Sequence, residues 1–250
     1  MKLVFAGFST LLLSTHLSAF EPAQLSLDSV SNFEAGDKSF TVRHRFYGQA
    51  DDLDTFFGMD EGANTLLSLR YAPLKALIFE VHHAREKSEN NIRIGYAHKF
   101  KYLNTQFNLN GFQFEEANVK DKRENLFFNA VFQTPLVFKH LTMTSNIGYD
   151  GYYDKTGLGI GLELSTQNFM PTTLSFTQTI SILAEYYSKH KNLEGFNKKY
   201  NSYAFGLKFG TYGHHFDLLF SNSSAADPRT MMQGTNTNDL HFAFNINRKF

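Results

Sequence analysis

A chain of 250 residues with a formal net charge of zero has neither the basic field that nucleic acid requires nor an acidic tail. Cys is absent, which removes both a disulfide framework and a thiolate metal site. The aromatic residues are all Phe (27) and Tyr (12), both of which favour strands.

The first 19 residues, "MKLVFAGFSTLLLSTHLSA", place Lys2 before an apolar run from Leu3 to Leu13 and end in small residues at Ala19. That charged, apolar, small-residue order is the pattern of a secretory signal peptide. The run is shorter than the roughly 20 apolar residues a spanning helix needs. The expected organisation is a signal peptide over 1–19 and one domain over 20–250. An exported chain of this kind is soluble in the periplasm, secreted, or a membrane β-barrel.

From there the dominant period is two. Twelve strands are expected over 39–47, 64–72, 76–86, 90–100, 105–116, 126–134, 141–152, 156–167, 172–187, 202–212, 214–223 and 239–250. The stretch "NIRIGYAHKF" sets Ile92, Ile94, Tyr96 and Phe100 against Arg93, Gly95, Ala97 and Lys99. In "TGLGIGLELS", Leu158, Ile160, Leu162 and Leu164 oppose Gly157, Gly159, Gly161 and Glu163. Such alternation marks strands with one apolar face. In 105–116 the apolar phase slips between Leu109 and Phe112.

These segments run about 9–13 residues, longer than ordinary soluble strands and matched to a tilted bilayer crossing. Short links are expected at 72–75, 101–104, 168–171 and 211–214, and longer polar links at 48–62, 118–125, 190–201 and 224–238. Short turns at one end and long loops at the other are a feature of transmembrane barrels. The expected fold is all-β, a transmembrane antiparallel up-and-down barrel of about 12 strands. A soluble sandwich is the rival that shares the period-two signal.

The chain ends on "DLHFAFNINRKF". If the last strand pairs with the first, closure removes the sheet edges. A final strand of alternating aromatics ending in Phe resembles the terminal signal read by the barrel-assembly machinery. The residues concerned are Phe242, Phe244, Ile246 and Phe250, while Arg248 stands where an aromatic or aliphatic residue is usual.

The opening of the domain carries His44-Arg45-Phe46, then Gly58, Asp60, Ala63 and Asn64, followed by a hairpin ending in a basic strand. In this pattern the chain resembles a family of uncharacterised bacterial outer-membrane barrels, a domain of unknown function. The resemblance implies the barrel fold and no known activity.

Parity assigns an inward, polar set: Arg43, Arg45, Arg70, Glu80, His82, Arg93, Lys99, Glu163, Glu185, Lys208, Asp217 and His241. A charge facing lipid at mid-depth costs about 2–4 kcal/mol, so the interior is the cheaper side. Such a lumen is either a slightly cationic channel for small solutes or a plug of salt bridges. No metal or cofactor is expected. His82 and His83 point to opposite faces of one strand, and His214–His215, placed at a turn, lacks a third ligand. His83 is in the lipid-facing phase, but no motif supplies a nucleophile for a lipid-acting enzyme. The acidic loop "QADDLDTFFGMDEGAN" is expected to be a solvated surface loop that folds over the mouth through Phe56 and Phe57. Surface loops of this kind also suit a receptor or adhesin. The leading expectation is a small passive pore or structural barrel of the outer membrane, with the lipid bilayer, the assembly machinery and small solutes as partners.

Overall fold

The computed structural model describes residues 24–51, 54–115, 122–134, 140–165, 179–190, 198–211 and 213–250. The signal segment 1–19 lies outside them, as do the expected turn at 168–171 and the start of the expected ninth strand, with Leu174 and Phe176.

Twelve strands form: β1 (Lys38–Phe46), β2 (Ala63–Leu74), β3 (Leu77–Ala84), β4 (Glu89–Lys99), β5 (Asn104–Phe114), β6 (Arg123–Gln133), β7 (Leu141–Asp150), β8 (Lys155–Ser165), β9 (Thr179–Ser188), β10 (Ser202–Gly210), β11 (His214–Ser221) and β12 (His241–Lys249). A single helical turn, α1 (Pro228–Met231), sits in the last long loop. Each strand pairs antiparallel with its sequence neighbours, and β12 closes on β1 through Ser39↔Lys249 to Arg45↔Ala243. Closure satisfies the edges that an open sheet leaves bare, and it excludes the two-layer sandwich.

Period-two burial runs through nearly every strand, as in β4, where buried and exposed residues alternate from Glu89 to His98. The exposed phase is apolar. Leu69 is 57% exposed, Ile92 65%, and Leu67, Val81, Ile94, Leu109, Ile160 and Leu218 continue the belt around the barrel. Soluble monomers rarely carry a contiguous apolar surface beyond a few hundred Å². Where β1, β12, β11 and β10 meet near the long loops, Phe46, Phe242, Phe220 and Phe205 form a chain of ring contacts 5.7–6.0 Å apart. Aromatic rings gather in this way at the interfacial rim of a membrane barrel.

Two details differ from the expected boundaries. The link at 72–75 shortens, because β2 continues to Leu74 with a register shift after Tyr71. Pro73, which cannot donate a ladder bond, lies within that irregularity. In β5 the phase does not slip. Phe107 and Leu109 face out while Phe112 and Phe114 face in, where they join an apolar cluster with Phe127, Tyr187, Met231 and Met232. Aromatics on the inner face there are explained by what fills the lumen.

Candidate functional site

A twelve-stranded barrel encloses more space than its own wall side chains can fill. Here the space is taken by two pieces of the chain. Residues 24–31, with Phe33, run through the interior almost wholly buried, ahead of β1. From the opposite end the loop 222–238, which contains α1, folds in over the mouth.

The N-terminal segment is held mainly by its main chain. The Glu185 carboxylate accepts from the N–H groups of Leu25 (2.6 Å), Ser26 (2.9 Å) and Leu27 (3.2 Å), and from the Tyr187 hydroxyl (2.9 Å). The Leu25 carbonyl accepts from Arg45 (3.1 Å) and Asn245 (2.9 Å). Asn146 takes both polar groups of Asp28, accepting its N–H at 3.1 Å and donating to its carbonyl at 2.8 Å. Val30 and Ser31 donate their N–H groups to Gln133 (3.1 Å) and Gln106 (2.8 Å). Satisfying these groups is obligatory for a chain that crosses an interior without forming a strand.

One side chain of the segment makes a charged anchor. Asp28 meets Arg93 at 2.9 Å, Asn129 at 2.8 Å and Asn108 at 3.4 Å. Arg93 also reaches Glu80 at 3.1 Å, and Glu80 holds Arg70 at 2.7 Å, Ser68 at 2.8 Å and His82 at 3.4 Å. Only about 10 Å³ remains open among these groups, room for roughly one water. Paired, hydrogen-bonded charge is the form in which ionised groups tolerate such burial.

The glycine face of β8 makes room for both occupants. A Cβ built on Gly159 would lie 2.6 Å from Leu27, and one on Gly161 would lie 2.6 Å from Leu27 and collide with Gln24. A Cβ on Gly157 would meet Met232 at 2.7 Å. The alternation of apolar residues with glycine in "TGLGIGLELS" is thus a smooth inner wall on which the segment and the lid lie.

The lid is held by side chains. Arg229 bonds Asp150 at 3.3 Å, pairs with Glu89, and lies 4.0 Å over the Phe112 ring. Burial opposes its charge, but Glu89, Asp227 and Asp150 outweigh this and raise the affinity of the guanidinium for its proton. Burial alone would raise the Asp227 carboxyl, yet Arg229, His82 and Thr230 hold it below the ordinary carboxylate range. Arg43 joins the two occupants, donating to the carbonyls of Ser26 and Ala226. Beside the lid lies a cavity of about 230 Å³ bordered by Asn64, Lys87, Glu89, Lys198, Asp227 and Gln233.

Of the inward set, Arg43, Arg45, Arg70, Glu80, His82, Arg93, Glu163, Glu185, Lys208 and Asp217 are all buried within the barrel. They form separate groups: the Arg70–Glu80–His82–Arg93 cluster, the Lys208–Glu163 pair at 3.1 Å, and Asp217 bonded to Asn245 at 2.7 Å. His241 is half-buried at the mouth, where its ring meets the Gly48 carbonyl at 2.9 Å. Lys99 is exposed at the other mouth and bonds Asn32.

Two expectations change. His214 and His215 open β11 rather than sit in a turn, so they too alternate, His215 buried and His214 half-buried. Among the described residues no group of three or more His, Asp or Glu could hold a metal ion. Phe56 and Phe57 do not cover the mouth; they are exposed and pack on each other at 5.8 Å, while 222–238 provides the cover. Asp52 and Leu53 of that acidic loop lie outside the described residues. His83 faces outward and meets Asn90 at 3.0 Å.

A family model described as a membrane-bound beta barrel domain, DUF5777, matches residues 21–129 and 170–250. The chain belongs to this family. The match spans the segment at 24–33 as well as β1–β5, and the apolar belt of this DUF5777 barrel is its membrane face. No curated protein matches the chain in sequence.

Among solved structures, OpdO of Pseudomonas aeruginosa is 10% identical with a TM-score of 0.37, covering 75% of this chain and 56% of its own. OccK2 (OpdF) of the same organism, solved with glucuronate, is 10% identical at 0.36, with 88% and 68% covered. A BenF-like porin from Pseudomonas fluorescens Pf-5 is 11% identical at 0.36, with 88% and 65% covered. The DUF5777 chain thus spans little more than half the length of the first of these.

In this barrel the opening motif connects several parts. His44 stacks on Phe244 at 4.9 Å on the outer face, and Arg45 grips the segment inside. A Cβ on Gly48 would lie 2.5 Å from Gly58, so that loop crosses itself at two glycines. Asn64 donates to Ser224 of the lid at 2.8 Å. Sequence reading assigned 20–38 no place in the lumen. Within 24–33 the only signal is four spaced apolar residues, Leu25, Leu27, Val30 and Phe33, too few for a strand and out of period.

Proposed function

We propose that the protein is a passive pore of the outer membrane for small solutes, closed at rest by residues 24–33, with the cavity of about 230 Å³ beside the lid as its outer opening. In this reading residues 1–19 export the chain and 20–250 form the mature barrel. The barrel-assembly machinery recognises the last strand through Phe242, Phe244, Ile246 and Phe250. The end where β1 begins and β12 finishes faces the periplasm, and the long loops face outward.

One observation carries the proposal: the wall is polar and charged, and many of its hydrogen bonds go to a segment that is not part of the wall. A barrel needing only rigidity could satisfy Arg45 and Glu185 within its own wall, as it does Arg70 with Glu80 and Lys208 with Glu163. Once the segment leaves, Asp28 goes with it, and Arg43, Arg70 and Arg93 face Glu80 with a cationic excess. Where this level is the constriction, the open state prefers anions.

The test is single-channel conductance in planar bilayers. The full chain is expected to be nearly silent. A variant lacking residues 24–33 is expected to conduct, with anion preference, and Arg93→Glu with Lys208→Glu in that background should reverse the preference. Silence of the shortened, heat-modifiable barrel across salts and voltages would overturn the pore. Steady conductance of the full chain would overturn the resting closure.

A further inference from the structure

The chemistry of the wall around residues 24–33 is specific to one class of occupant. A lumen built for small anions presents donors. This one presents donors and acceptors together. Glu185, Gln133 and Gln106 offer oxygen atoms to N–H groups, while Arg43, Arg45 and Asn245 offer N–H groups to carbonyls. Asn146 does both at a single residue, as a neighbouring strand would. Main-chain contacts of this kind give affinity with little demand on sequence, and pockets then set preference.

The pockets are present. Leu25 enters a site of Leu183, Ala204, Leu219 and Ala243. Leu27 packs among Phe112, Phe127 and Tyr187. Val30 and Phe33 lie with Ala72, Ile78, Ala97 and Val131. Between them Arg93, Asn108 and Asn129, all buried, converge on the Asp28 carboxylate. The glycine wall of β8 leaves the space that Gln24 and Leu27 fill.

We infer that the lumen is a binding site for a short peptide that bends to aim successive N–H groups at Glu185 and carries an acidic residue between apolar ones, and that residues 24–33 occupy it in cis. The inference rests on reading this segment as removable. It adds a ligand class, short acidic-apolar peptides, that the pore reading does not contain.

The tether suggests the experiment. Glu34, Ala35 and Gly36 form an exposed turn between the segment and β1. A protease site inserted after Ala35 in the full chain lets the barrel fold with its own segment and then be cut. The probe is a fluorescent synthetic peptide of residues 24–33, QLSLDSVSNF.

After cutting, the labelled peptide is expected to replace the segment saturably. A peptide carrying Asp28→Asn should compete about tenfold less well, the loss expected for a charge-assisted anchor. That difference should vanish in a cut barrel carrying Asn129→Ala and Arg93→Gln. The inference is overturned if the cut segment never exchanges, or if it leaves and no peptide takes its place. It is also overturned if succinate alone displaces the segment as well as the peptide does, for the site would then be one for small carboxylates. Conductance of the emptied barrel is a separate readout, so failure of the pore and failure of the peptide site remain distinguishable.

Discussion

The two occupants of this lumen are held in opposite ways. Residues 24–33 are held by their backbone: the N–H groups from Leu25 to Asp28 all go to side chains of the wall. The loop 222–238 has main-chain bonds to His190 and Tyr200 but relies on its own side chains inside the barrel, with Arg229 clamped between Glu89 and Asp150 and with Met231 and Met232 fully buried against the aromatics of β5 and β6. A backbone grip asks little of the residue types that fill it, whereas a side-chain grip fails when one partner changes. The first is the design of a replaceable part and the second of a fixed one.

The comparison breaks most sharply at Arg229. Arg229→Ala leaves Glu89 and Asp150 buried without their cation, a loss of about 3–5 kcal/mol when one partner of a buried pair is removed. Urea unfolding should show it, and hydrogen exchange should localise the first opening to 222–238. A loss below about 1 kcal/mol would mean that the lid does not depend on this clamp.

Gly161→Val acts on the other occupant without touching a charge. The new side chain meets Leu27 and Gln24, and overpacking of this kind costs about 1–3 kcal/mol, or roughly 5- to 150-fold more time with the segment out. In bilayers this variant should open intermittently where the parent is silent.

Acid probes the lid as well. Burial raises the Asp227 carboxyl, but Arg229, His82 and Thr230 hold it lower than usual in the folded chain. A carboxyl with a depressed folded pKa contributes stability that is present above its unfolded value, about 3.9, and is lost as pH falls through the folded value. Exchange in 222–238, corrected for intrinsic rate, should therefore be flat from pH 7 to 5 and rise only below about pH 4.

The smallest effect sharpens the contrast. Ser26 contributes a hydroxyl to Arg45 at 3.2 Å, but its N–H and carbonyl contacts survive substitution. Ser26→Ala should cost no more than about 1 kcal/mol and leave the bilayer record silent. A leaky Ser26→Ala barrel would argue that the segment is held by side chains after all.

Much of the architecture was legible in advance. All twelve strands sit within a few residues of their expected places, apart from the start of the ninth, which lies outside the described residues. Parity alone placed ten of the twelve inward residues, because pleating sends successive side chains to opposite faces, while Lys99 and His241 lie at the mouths. Phe112 and Phe114 defeated that logic: aromatics on the inner face read as a phase error until Met231 and Met232 are seen beside them. The glycines of β8 were visible as a pattern, but their purpose was not, since a missing side chain does not say what occupies its space.

Strand number, phase and the division into a greasy and a wet face were determined by the sequence itself, since each rests on contacts between near neighbours along a pleated backbone. Closure made the wet face an interior, and only the tertiary structure decided what lies in it. The bond between Asn245 and Leu25 joins residues 220 apart in sequence. It ends on a carbonyl, a group every residue carries, so no residue type at position 25 could have announced it.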